Sequence, residues 1–163
     1  MSIHSKISNN IKIILVVLLP LIAGFIGSYF TAPAIPGWYA NLEKPFFSPP
    51  NWVFGPAWTV LYVLMGAAFF LIWREGFRKK EVRIAVYLFC FQLALNVLWS
   101  VIFFGLQSPL YAFVEIIVLW TVILITIAKF YPVSKKAAYL MIPYILWVSF
   151  ATFLNYAVLM LNL

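Results

Sequence analysis

The stretch EKPFFSPPNWVFGPAWTVLY, residues Glu43–Tyr62, passes from a proline-studded opening directly into apolar chain. It holds four prolines, six aromatic residues and one lysine. A flexible linker has no need of such rigidity, and a plain turn is shorter. The apolar half runs on to Trp73. Trp52–Trp73 therefore meets the length of about 20 mainly apolar residues that a helix needs to cross a bilayer.

Working outward, four more segments meet the same test: Ile11–Phe30, Ile84–Gly105, Pro109–Ala128 and Ala137–Leu161. The expected fold is an all-α integral membrane protein, a bundle of five transmembrane helices forming one domain over residues 1–163. The composition agrees. The 163 residues are 66% hydrophobic and 9% charged, against about half and about a quarter in ordinary globular chains.

The first span invites comparison with a signal peptide, because Lys6 and Lys12 flank its start and Ala32–Ala34 reads APA. Its apolar core exceeds the roughly 7–15 residues of a signal h-region. Ala23, Gly24, Gly27 and Ser28 supply small residues four apart, a spacing that lets helices approach closely. A retained helix is expected.

Cations set the orientation. With the N-terminus inside, the inner segments carry Lys6, Lys12, Arg74, Arg78, Lys79, Lys80, Arg83, Lys129, Lys135 and Lys136, and the outer ones only Lys44. The positive-inside rule then places the N-terminus inside, the C-terminus outside and the long first loop, 31–51, outside. The net charge of +7 is thereby a topology feature, and no nucleic-acid face is expected. The pattern suits the cytoplasmic membrane of a prokaryote, or an organelle membrane.

Polar and aromatic residues mark one half of the bundle. In QLALNVLWS, Gln92, Asn96 and Trp99 stand at i, i+4 and i+7 on one helix face. Asn96 lies about 18 Å from the inner end of its span, near the midplane. In the fifth span Tyr144, Trp147, Ala151 and Asn155 form a second stripe. Thr59, Tyr62 and Gly66 form a third, with Trp52 and Trp58 at the outer end. The prolines of the loop restrict its shapes, so Trp38, Pro45, Phe46, Pro49 and Pro50 read as a lid over these stripes. Pro56 is expected in the first turn of its helix, where proline is tolerated.

Two readings of these groups compete. Amides within spans often serve only as interhelical hydrogen bonds, worth about 0.6 kcal/mol each, and Trp is common at membrane interfaces in any bundle. The convergence of several such groups under a rigid loop favours a pocket. Glu115, the one carboxylate inside a span, stands about 9 Å along it, with either a packing or a site role. Trp120 is expected to face lipid or a second subunit. Cys90 is the single cysteine and His4 the single histidine, so no internal disulfide or metal centre is expected.

The segments WYANLEKPFFSPPNWVFGPAWTVLYVLMG (Trp38–Gly66), QLALNVLWSVIFFG (Gln92–Gly105) and PYILWVSFATFLNYAV (Pro143–Val158) resemble the TspO/MBR family, the translocator or tryptophan-rich sensory proteins. The resemblance extends over nearly the whole chain from the first span on. It implies a five-helix bundle, usually dimeric, that binds porphyrins and, in animals, cholesterol and benzodiazepine-type drugs. It implies a cavity beneath the first loop, with Trp52, Tyr62, Asn96, Trp99, Trp147 and Ala151 in its wall. The animal members carry a sterol motif, a tyrosine followed by a cation. Here Asn155-Tyr156 is followed by AVLMLNL, so cholesterol is the less favoured ligand.

The expected function is binding of protoporphyrin IX-like tetrapyrroles for sensing or porphyrin handling, with no obligatory cofactor. Lys44 is the candidate partner for propionates, with extension to lipid headgroups as its other reading. Gln92 and Asn155 are further candidate ligand contacts. No histidine reaches an outer-half pocket to hold haem iron, which leaves Met65 or a tyrosine as candidate haem ligands. Alternatives are a transporter, although no internal repeat is evident, and light-dependent porphyrin degradation with Trp52 and Trp147 as redox partners. No nucleophile–base pair is visible. A bundle whose aromatics only pack is the remaining reading.

Overall fold

The computed structural model describes residues 3–163, with side-chain surroundings described for residue 14 and from residue 18 onward. The side chains of His4, Lys6 and Lys12 lie outside the described residues. Helix α1 spans Ile3–Ala34, α2 Trp38–Asn41, α3 Asn51–Trp73, α4 Lys80–Ser100, α5 Pro109–Phe130, α6 Lys135–Leu140 and α7 Ile142–Leu161. There is no strand among the described residues. The stretches Asn51–Trp73, Lys80–Gly105, Pro109–Phe130 and Lys135–Leu161 are each long and apolar enough to cross a membrane, and α1 contributes apolar helix over Leu18–Ala34. The chain is an integral, multi-pass membrane protein.

Four local departures from the sequence expectation have physical causes. First, α1 continues past Phe30 to Ala34, and α2 follows, so part of the lid is helical. Pro33 lies in the last turn of α1, where its missing N–H leaves the Tyr29 carbonyl without an i+4 donor, and the helix ends one residue later. Second, α3 begins at Asn51, which places Pro56 beyond the first turn. Pro56 has no N–H, so the Trp52 carbonyl lacks its usual i+4 donor.

Third, α4 ends in a wide π turn, Val101–Gly105, where the Leu106 amide reaches back to the Val101 carbonyl at 2.8 Å. Such turns insert one residue into the helix and redirect the chain beyond it. Gln107, at φ 52°, then reverses the chain into Pro109 at the start of α5. Fourth, the fifth span is two helices. The Ser134 hydroxyl caps α6 by accepting from the Ala137 amide. The ladder breaks at Met141, and Pro143, which cannot donate, sits in the first turn of α7.

Packing divides the interior into two clusters. In the half away from the first loop, Phe69 and Phe89 stack at 4.3 Å and Phe130 lies 6.0 Å from Phe89, amid Met65, Ile72 and Ile123. In the loop-side half Tyr39, Phe103, Ala112, Leu154 and Val158 form a second cluster under α2. Helix α1 packs mainly on α3 and α4, α4 on α5, and α5 on α7. Trp120 belongs to this last seam: its Nε1–H donates to Ser149 Oγ at 2.8 Å, so it holds α5 to α7.

Candidate functional site

Gly24 on α1 leaves room for the ring of Tyr62 on α3. A Cβ at position 24 would run into that ring. With the space open, Trp58 stacks on Tyr62 at 5.4 Å and 26°. The Tyr62 hydroxyl donates to Asn96 Oδ1 on α4 at 2.7 Å, Asn96 Nδ2 donates to the Tyr144 hydroxyl on α7 at 3.2 Å, and that hydroxyl donates to Gln92 Oε1 at 3.0 Å. All four side chains are buried. Three spans are thus tied together by one polar chain, which low-dielectric surroundings make costly to interrupt.

Above this chain lies a cavity of about 520 Å³, between α1, α3, the α4 end with its π turn, and α7. That size falls within the range of small-molecule sites, about 300–1,000 Å³. Its wall includes Trp52, Tyr62, Trp99, Trp147, Ala151 and Asn155. Trp99 is held in place twice: its ring stacks on Phe103 at 5.1 Å, and its Nε1–H donates to Asn155 Oδ1 at 3.1 Å. Asn155 Nδ2 in turn donates to the Pro109 carbonyl at 2.9 Å, joining α7 to the start of α5. Trp147 packs edge-on against Phe54 and Trp58. Its indole N–H has no hydrogen-bond partner among the described residues.

The other candidates lie elsewhere. Asn96 and Gln92 are behind the wall, where both serve the polar chain. Gln92 Nε2 and both Glu115 carboxylate oxygens have no partner among the described residues. Met65 is wholly buried in the far cluster and is not part of the cavity wall.

Lys44 is not in the wall either. Its ammonium donates to the carbonyls of Leu42 at 3.1 Å and Ala40 at 3.4 Å and stands 4.7 Å over the Tyr39 ring. Carbonyls left open at a helix end attract a cation, so Lys44 closes α2 locally.

The roof comes from residues other than the prolines. Tyr39 reaches into the cavity wall from α2 and is buried. Burial raises its phenol above the ordinary value, which keeps it neutral. Trp38 packs on Phe103 at 5.5 Å. Phe46 points into open surroundings, fully exposed, and Phe47 packs 6.4 Å from Phe150. Pro45, Pro49 and Pro50 shape the approach to α3 and do not line the cavity.

Three wall residues, Trp58, Phe54 and Tyr39, are not identified as such by sequence reasoning. Trp58 is placed only at the outer end of the third stripe, and nothing in the spacing of Tyr39 distinguishes it from the rest of the loop. Among the described residues no charged side chain lines the cavity, and no three His, Cys, Asp or Glu side chains gather to hold a metal. The chemistry on offer is stacking, apolar burial and a few neutral donors and acceptors.

The model of the TspO/MBR family matches residues 16–161. The tryptophan-rich protein TspO of Archaeoglobus fulgidus is 47% identical over 154 residues, covering 94% of this chain and 99% of that protein. The translocator protein of Homo sapiens is 41% identical over 143 residues, covering 86% and 84%. The tryptophan-rich sensory protein of Cereibacter sphaeroides is 38% identical over 126 residues, covering 77% of each.

Proposed function

Because the chain belongs to the TspO/MBR family, we propose that it binds flat tetrapyrroles of the protoporphyrin IX kind in the loop-side cavity, as a sensor or in porphyrin handling. The observation that carries this reading is the wall itself: four tryptophans and two tyrosines around about 520 Å³ without a charged side chain. Aromatic faces suit a planar macrocycle, each ring contact adding about 0.5–1.5 kcal/mol beyond area burial. Trp147 offers the cavity its ring, since its indole N–H is buried away from the surface.

With Lys44 engaged at α2, the propionates are assigned to the outer end of the cavity beside Asn51 and the exposed Trp52, where water and lipid headgroups solvate them. Metal-free porphyrin is favoured over axially ligated haem, because Tyr39 and Tyr62 are the wall's anionic-capable groups and Tyr62 already donates to Asn96. Positive charge assigns the N-terminus to the inner side and the cavity to the outer half. A homodimer and a disfavoured cholesterol site complete the proposal.

The test is a protoporphyrin IX titration of the detergent-purified protein, followed by tryptophan quenching and porphyrin absorbance. Saturable binding of one porphyrin per chain, weakened by Trp147→Phe and Trp52→Phe, supports the reading. Non-saturating uptake that is equal in the parent and both variants refutes it and returns the transporter and packing readings.

A further inference from the structure

The cavity is shut above and open at the side. Above it, Asn162 acts on the loop as a bidentate clamp. Its Oδ1 accepts from the Glu43 amide at 3.0 Å, and its Nδ2 donates to the Glu43 carbonyl at 2.9 Å and to the Val158 carbonyl at 2.8 Å. The loop is thereby fastened to the end of α7. Lys44 closes α2, Tyr39 is buried, and Trp38 rests on Phe103. Passage over the roof would break all of these together.

At the side, the wall residues Phe25, Ser28 and Ala32 on α1 face Trp52, Gly55 and Thr59 on α3, and all six are exposed. The lips are mostly small. A Cβ added to Gly55 would meet nothing within 4 Å. Asn51 to Thr59 measures about 12 Å along the α3 axis, so the opening is a tall slot between two spans. Both helices are apolar here, and the slot therefore opens onto bilayer. Its upper end carries Asn51 and the exposed Trp52 indole, a residue type favoured at the headgroup level.

We propose that ligands of the cavity are flat amphiphiles that enter edge-on from the bilayer through the α1–α3 slot, with their polar edge at the interface, while the roof stays fastened. The proposal rests on the cavity being the ligand site. The seam's exposed wall residues run along the spans, so a ligand entering there passes with its long edge parallel to them. A bilayer source also concentrates lipophilic ligand at the mouth.

The test uses the full chain in phosphatidylcholine vesicles, with protoporphyrin IX delivered from donor vesicles and both rate constants read by stopped-flow tryptophan quenching. Gly55→Phe, which plugs the slot, is expected to slow association and dissociation by about tenfold or more, and Asn162→Ala, which frees the roof, to leave both within about twofold. Ala32→Leu plugs the opposite lip and serves if Gly55→Phe does not fold. Accelerated exchange in Asn162→Ala with parental rates in the plugged variants would overturn the lateral route and leave the site reading intact. A parent that shows no saturable binding would overturn both.

Discussion

Replacing Asn155 by Leu removes two hydrogen bonds while nearly conserving volume. Asn155 is 2% exposed, and it holds both the Trp99 indole and the Pro109 carbonyl. Interhelical bonds within a bilayer average about 0.6 kcal/mol and reach about 1.7. Losing two bonds in that range gives about 1–3 kcal/mol of destabilisation. The ligand effect is separable. Freed from Asn155, Trp99 keeps its stacking on Phe103 but loses its fixed angle to the cavity. Forfeiting one ring contact of about 0.5–1.5 kcal/mol weakens porphyrin binding about two- to thirteen-fold. Thermal unfolding in detergent, with and without protoporphyrin IX, measures both quantities. A variant with parental melting and parental affinity would refute the assignment of Asn155 as the residue that sets Trp99.

The geometry makes three further outcomes testable. Gly24→Ala drives a methyl into the Tyr62 ring and should cost about 1–3 kcal/mol. Adding Tyr62→Leu should relieve part of that cost, and a strictly additive double-mutant cycle in thermal unfolding would contradict the contact. Lys44→Gln should change porphyrin affinity by less than about threefold, because the ammonium is already committed to α2; a tenfold loss in the titration would place it on the ligand instead. In a Cys90→Ser background, an impermeant maleimide added to intact cells should label Phe46→Cys and leave Arg78→Cys unlabelled, and the opposite pattern would invert the assigned topology.

Helices were legible because each needs only a long apolar run, and the chain has few charges to interrupt one. Their ends were less so. The break at Met141 depends on how Pro143 meets the preceding turn, and the π turn at Val101–Gly105 leaves no mark in hydropathy. The aromatic and amide stripes point to the loop-side half of the bundle, where the cavity lies. Trp52, Tyr62, Trp99, Trp147, Ala151 and Asn155 do come together around one cavity.

The task of each polar group there depends on azimuths that a one-dimensional reading does not contain. Asn96 shares a helix face with Trp99, yet it turns behind the wall because Tyr62 and Tyr144 meet it there. The contacts of Lys44 are not legible in the sequence, for a local reason. Its partners are carbonyls that exist only once residues 38–41 wind into a helix. Gly24 carried a visible small-residue spacing, but its role as the recess for Tyr62 belongs to a neighbour 38 positions away.

The central claim is that the ligand occupies the space beneath α2, and filling that space tests it most directly. Ala151 lies in the wall at half-burial, so Ala151→Phe projects a ring into the cavity. The measurement is an equilibrium titration of this variant with protoporphyrin IX, beside a melting curve showing that it is folded. The account predicts a folded protein whose saturable binding is weakened at least about tenfold. A folded Ala151→Phe protein that binds one porphyrin per chain at parental affinity would contradict it.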